Sequence, residues 1–304
     1  MIDRRQFFLT ITALLSELAF SKNPNERLLL RAIPSSGERI PVIGMGTSRT
    51  FDLKSGENFG QLAEVLESFF IGGGTVIDSS PMYGNAESTI GSLLSQLDFP
   101  HRYFAATKVW KTGKEEGIEQ MLLSKKRMNV KKLDLIAVHN LVDWKTHLST
   151  LKKWKEEGKV RYIGITTSHG RYRSELIKIM QTEEIDFVQF SYNIEDRDAE
   201  FDLFPLARRR GIATMINRPF KRGSLFKITK DQSLPEVAKD LEVYSWAQFF
   251  LKFILSNPAV TNIIPATSKK YHMIDNMKAN KGVIPTPIQR QEMLNAFMRI
   301  RNNF

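Results

Sequence analysis

A (β/α)8 barrel, an α/β fold built on one closed sheet of parallel strands, is the architecture this sequence predicts. Three observations predict it: eight short apolar runs recur along the chain, segments of helical spacing separate them, and the intervals are nearly even. The runs are residues 42–46, 75–78, 104–109, 133–139, 160–166, 185–190, 212–217 and 261–266. Helical spacing covers 61–70, 86–97, 115–128, 144–157, 172–182, 200–210 and 233–256. Gly158 and Gly211 stand where helix C-termini favour a left-handed residue. The competing architecture is an open doubly wound sheet, which would carry a glycine-rich dinucleotide loop after its first strand. The nearest match, Gly44-Met45-Gly46-Thr47-Ser48-Arg49, lacks the third glycine.

Composition narrows the function classes. The 304 residues are 42% hydrophobic and 25% charged, ordinary for a folded soluble chain. Without cysteine there is no disulfide framework, thiolate metal site or thiol nucleophile. The five histidines show no paired metal-ligand spacing, so no metal site is expected. A formal net charge of +11 favours an anionic partner such as a phosphate-bearing cofactor. The basic residues are dispersed in short groups such as 125–127 and 208–210, and no nucleic-acid motif accompanies them. Nucleic acid is therefore not an expected partner.

The N-terminus differs from the rest. Residues 7–20 are mostly apolar but fall short of the ~20 residues a membrane span needs. Glu17 interrupts them as well, so no stable span is expected. Arg4-Arg5-Gln6-Phe7-Phe8-Leu9 resembles a twin-arginine export signal, and Ala19-Phe20-Ser21 offers small residues where a signal peptidase reads. This reading makes residues 1–21 a signal peptide, 22–30 a linker and 31–304 the barrel. It implies contact with the export machinery and a periplasmic location. The alternative is a helix that packs on the barrel or lies on a membrane, with a cytoplasmic protein.

In a barrel, chemistry sits at the C-terminal ends of the strands. Asp78, Lys108 and His139 close three successive runs, and Tyr83 follows Asp78 on the loop that leads to Glu87. Ser79, Ser80, Pro81, Gly84 and Asn85 have a turn explanation. Asp78 and Tyr83 do not. A charged group at the end of an apolar strand is costly unless paired. One alone is commonly a structural ion pair or a satisfied core histidine, but three in succession beside a tyrosine point to a site. An ammonium beside Tyr83 would lower its pKa from the ordinary ~10 and make it a proton donor. Asp78 would keep Lys108 ionised, and His139 could orient a carbonyl oxygen. None of these residues supplies hydride, so a nicotinamide or similar cofactor must.

The same segments resemble the aldo-keto reductase family over nearly everything after Leu28. Asp78 and Tyr83 match the family's DxxxxY spacing, TKV surrounds Lys108 and LDLIAVHN surrounds His139. LKKWKEEGKVRYIGITT, VQFSYNIEDRDAE and IIPATSKKYHMIDN resemble three later family motifs. The resemblance implies a (β/α)8 barrel that binds NADP(H) without a Rossmann domain. It also implies reduction of aldehydes or ketones, or oxidation of the alcohols, on a small substrate. Asp78, Tyr83, Lys108 and His139 take the catalytic positions. Gly46, Thr47 and Asp78 take cofactor contacts on the first strands, and Thr166, Thr167 and Gln189 those that hold the carboxamide. Thr167 lacks the amide usual there. Asn217 and Arg218 replace the usual aromatic residue and serine, and Arg218 could stack on the nicotinamide. Phe220 and Arg222 fall in the pyrophosphate loop. Thr267, Ser268, Lys269, His272 and Asn276 fall at the 2′-phosphate and adenine positions. Lys269 and the hydroxyls favour NADP(H) over NAD(H), although His272 stands where many members have arginine. A purely structural alternative has Ser268 capping a helix among solvated lysines. A non-catalytic nicotinamide-binding sensor is the alternative function; four retained catalytic residues argue against it. Phe51, Trp110, Trp144 and Tyr192 follow strand ends and are candidate pocket walls. The residues after Asn276 are expected to form no long lid.

Overall fold

The computed structural model describes residues 27–54, 59–96 and 103–304. The expected signal at residues 1–21 lies outside them. An antiparallel hairpin, β1 (Leu30–Ala32) and β2 (Arg39–Pro41), comes first. Then β3 (Met45–Gly46), α1 (Phe59–Ile71), β4 (Val76–Asp78), α2 (Ala86–Gln96), β5 (Phe104–Val109) and α3 (Lys114–Arg127) alternate. They are followed by β6 (Leu133–His139), α4 (Trp144–Glu156), β7 (Val160–Thr166), α5 (Arg173–Thr182), β8 (Phe187–Ser191), α6 (Leu203–Arg210) and β9 (Ala213–Asn217). The short α7 (Ser224–Ile228) and α8 (Val237–Asp240) precede α9 (Trp246–Leu255), β10 (Asn262–Ile263), α10 (Lys270–Lys278) and α11 (Pro287–Asn302). Among the described residues no helix is long and apolar enough to cross a membrane.

Strands β3 to β10 lie side by side in sequence order, all parallel. The Gly44 N–H donates to Ile263 O at 2.8 Å, Ile263 N–H to Val42 O at 2.8 Å, and Gly46 N–H to Pro265 O at 3.0 Å. These bonds join the first strand to the last, so the sheet is a barrel, as the spacing predicts.

Alternation along each strand then decides what faces inward. Val76, Phe104, Ala106, Leu135, Tyr162, Phe187, Ala213, Met215 and Ile264 form one apolar cluster with Ile33 and Ile40 of the hairpin. That cluster fills the barrel, and the hairpin closes its N-terminal end. The opposite strand faces pack outward on the helices. Two or four positions beyond these interior residues, the same parity brings up Asp78, Lys108, His139, Thr166, Gln189 and Asn217. Their side chains therefore share the interior at the C-terminal mouth.

Several expectations need correction. Residues 28–30 belong to the packed body rather than a linker: Leu28 is buried and Leu29 N–H donates to Asn280 O at 2.8 Å. The predicted helix 233–256 is broken into α8 and α9. Glu242 at φ 51° leaves the helical path, and the Ser245 side chain starts α9 afresh by accepting from Gln248 N–H. Helix α6 begins at Leu203 rather than 200, because Asp202 caps it. Gly158 and Gly211 adopt φ of 68° and 64° at the helix ends, as expected. Beyond Asn276, α11 starts with a Thr286–Gln289 capping box and Pro287. It is fastened to the barrel where Arg290 meets Glu200 at 2.7 Å.

Candidate active site

Strands β4 and β5 pair with Asp78 opposite Ala106, so Lys108 lies two residues above Asp78 on the same inner face. Lys108 Nζ donates to Asp78 Oδ2 at 2.7 Å and to Ser79 O at 2.6 Å, and both side chains are buried. The other carboxylate oxygen accepts from Gln189 Nε2 at 3.1 Å, and Gln189 Oε1 accepts from Thr166 Oγ1 at 2.9 Å. On the loop after β4, Tyr83 N–H donates to Ser80 O. The turn brings the Tyr83 ring to 5.1 Å from Lys108 Nζ and edge-on to His139, centroids 5.9 Å apart. All four catalytic candidates thus meet at one place.

Their electrostatics follow from burial and from one another. Burial works against the Lys108 ammonium, but the Asp78 carboxylate and Tyr83 favour the charge, and its pKa lies above the ordinary amine value. Burial pushes the Asp78 carboxyl up, opposed by Lys108 and Gln189. The Tyr83 phenol is raised, not lowered as its lysine neighbour suggested. Burial of the hydroxyl is the largest influence, and Asp78 counteracts part of the Lys108 charge. His139 is held down to about 3 by burial and then by Lys108, so the imidazole is neutral.

The expected cofactor residues are partly drawn together and partly engaged elsewhere. Gly46 and Thr47 sit beside Asp78, but Thr47 Oγ1 donates within the protein, 3.1 Å from Asp78 O and 3.0 Å from Ser79 Oγ. The Thr167 carbonyl accepts from Asn217 Nδ2 at 2.9 Å, and Asn217 Oδ1 accepts from Ser191 Oγ at 2.6 Å. Asn217 therefore ties the ends of β7, β8 and β9 together. Phe220 packs on Phe226 at 5.0 Å, with Arg222 exposed beside it. At the start of α10, Thr267 Oγ1 accepts from Lys269 N–H at 3.1 Å and lies 3.3 Å from His272 Nδ1. Lys269, not Ser268, holds the cap position, and it makes no side-chain capping bond. Ser268 instead offers its carbonyl to Gln61, while Asn276 is buried under the helix.

Two of the four expected wall residues are core. Phe51 is fully buried, and so is Tyr192, whose hydroxyl donates to Glu200 Oε1 at 2.7 Å. Trp144 is half-buried and donates from Nε1 to Glu175. Trp110 is exposed, with its ring 6.4 Å from His139, and fits the wall role.

Sequence reasoning missed two features. Ser80, read as a turn residue, is fully buried with Oγ 3.0 Å from His139 Nδ1. Its place two residues after an inward strand end was the available signal. The second feature is a cationic collar, in which Arg49 and Arg171 join the expected Arg218 and Arg222. The Arg218 guanidinium, with its pKa lowered by burial, feels Arg222, Arg49 and Arg171, opposed by Asp196. Its buried Nε has no hydrogen-bond partner among the described residues. These arginines follow β3, β7 and β9, at the mouth end of the barrel. An open recess of about 840 Å³ lies at the other end, but its Lys152 and Lys155 are paired with Glu183 and Asp186 at 2.7 Å.

Known proteins share this arrangement of chain. The methylglyoxal reductase YeaE of Escherichia coli (strain K12) is 24% identical over 275 residues, 86% of this chain and 92% of that one. The NADH-specific methylglyoxal reductase of the same strain is 28% identical over 212 residues, 59% of this chain and 62% of that one. The structure of an aldo-keto reductase from Klebsiella pneumoniae in complex with NADPH superimposes with a TM-score of 0.73 at 20% identity, covering 89% of this chain and 96% of that one. At that identity the likeness speaks for the fold. A family model for the aldo/keto reductases goes further and matches residues 42–290, from the first barrel strand into the last helix. The chain belongs to the aldo/keto reductase family.

Proposed function

We propose that this protein reduces small aldehydes or ketones with a nicotinamide cofactor and that Tyr83 is the proton donor. The observation that carries the reading is the meeting of Tyr83, the Lys108–Asp78 ion pair and a neutral His139 at the barrel mouth. The bound nicotinamide would supply the hydride. The raised Tyr83 keeps its proton through neutral pH, available to a carbonyl oxygen. The Lys108 charge stabilises the phenolate left behind, and Asp78 secures that charge. The neutral His139 ring offers an N–H to the same oxygen, and Trp110 walls the approach.

The residues present fit a phosphate-bearing cofactor. Arg218 Nε, unpartnered among the described residues, and the surrounding arginines suit a pyrophosphate. Lys269 and Thr267 at the start of α10 suit a 2′-phosphate, which favours NADP(H) over NAD(H) in this chain. Methylglyoxal is the substrate to try first, since two relatives are named for it. Consumption of NADPH on addition of methylglyoxal or a generic aldehyde tests the reading; none above the substrate-free rate with any carbonyl would count against it.

Two outcomes are expected. Lys269→Ala weakens NADPH binding roughly tenfold or more, the worth of a hydrogen bond to a charged group, and leaves NADH nearly unchanged. Equal loss for both in fluorescence titrations would make the lysine surface charge alone. The pH profile of reduction shows no His139 limb between about pH 5 and 8, because the ring ionises only near its lowered value of about 3. Reduction declines only as pH rises toward the raised Tyr83 pKa, and alcohol oxidation, which needs the phenolate, gains over the same range. Steady-state kcat/KM in both directions checks the signs.

A further inference from the structure

Ser80 lies between the Tyr83 loop and the His139 ring. Its Oγ is 3.0 Å from His139 Nδ1 and accepts from the backbone N–H of Met82 at 3.2 Å. A hydroxyl has one proton and two lone pairs, and a backbone N–H can only donate. Met82 therefore takes one lone pair of Ser80. Among the described residues, His139 Nδ1 is the one acceptor within reach of the Ser80 proton. If Nδ1 carried hydrogen instead, Ser80 would accept twice and bury its own O–H without a partner, which is costly. The ring nitrogen left over, Nε2, has no hydrogen-bond partner among the described residues. His139 closes β6 with its ring beside those of Tyr83 and Trp110.

We propose that Ser80 is a positioning residue: by donating to Nδ1 it holds the neutral His139 as the Nε2–H tautomer and leaves that N–H for the substrate's carbonyl oxygen. The role for the carbonyl rests on the reading above, whereas the tautomer stands on the hydrogen bonds alone. The same bond fixes the ring's rotation, so one buried hydroxyl serves both orientation and proton placement.

The test is long-range proton–nitrogen correlation NMR on the full chain labelled with ¹⁵N-histidine near neutral pH. A His139→Gln variant identifies the signals. The parent and Ser80→Thr should show a pyridine-type nitrogen at Nδ1 and a protonated nitrogen at Nε2. In Ser80→Ala the two shifts should move toward each other as the tautomers mix. Carbonyl reduction by Ser80→Ala should fall roughly three- to tenfold in kcat, the worth of one ordinary hydrogen bond, and Ser80→Thr should restore most of it. A parent ring protonated at Nδ1 would overturn the proposal without any variant. So would His139 shifts that do not change in Ser80→Ala. If the chain reduced no carbonyl at all, the functional reading would fall while the nitrogen shifts still decided the tautomer.

Discussion

Tyr83→Phe is expected to lower kcat for carbonyl reduction by roughly 10²–10⁴-fold, the range for losing a general acid. NADPH affinity should change little, because the ring and its packing remain. The proposed acid role rests on its surroundings: the Tyr83 ring lies 5.1 Å from the Lys108 ammonium and edge-on to His139. Its raised pKa keeps the phenol protonated through neutral pH. Transient kinetics with fluorescence titration of NADPH separates the two effects. A variant that keeps activity within a few-fold of the parent would remove Tyr83 from the acid role.

Lys108→Met is expected to damage both catalysis and stability. Removing a preorganised charge that stabilises the phenolate should cost roughly 10²–10³-fold in kcat. It also leaves the buried Asp78 carboxylate without the partner now 2.7 Å away. Breaking a buried pair from one side costs about 3–5 kcal/mol, partly relieved if Asp78 takes up a proton. Adding Asp78→Asn removes the stranded charge, so the double variant should regain much of the stability and none of the activity. Denaturant melts beside turnover assays check this. Recovery of activity in the double variant would mean that the ion pair serves folding alone.

The architecture and the four candidate residues that meet at its mouth were legible in the sequence for a physical reason. Strands buried on both faces are written as apolar runs, and a charged residue ending such a run stands out against them. What the runs do not record is which face each residue takes. Parity against the interior cluster, visible only in the barrel, puts Asp78, Lys108 and His139 on the inner face. Phe51 and Tyr192 also follow strand ends, yet both point into the core. Ser80 escaped because a serine after a strand already has a turn explanation, and its bond to His139 spans 59 positions of sequence. The raised Tyr83 pKa escaped because a neighbouring lysine can be read from a motif but the burial of a hydroxyl cannot. The β1–β2 hairpin escaped because its two strands have three residues each, too few to show a period. Helix α11 went unread too, although Thr286-Pro287-Ile288-Gln289 carries a readable start.

The central claim is that this barrel mouth joins a hydride from nicotinamide to a carbonyl carbon while Tyr83 protonates the oxygen. The most direct measurement follows deuterium from NADPH doubly deuterated at C4 into the alcohol formed from methylglyoxal or a generic aldehyde. The account predicts one deuterium on the former carbonyl carbon with the parent protein, and a loss of that labelled product in Tyr83→Phe roughly as large as its loss of kcat. Alcohol formed without the label, or labelled alcohol formed equally well by Tyr83→Phe, would contradict it.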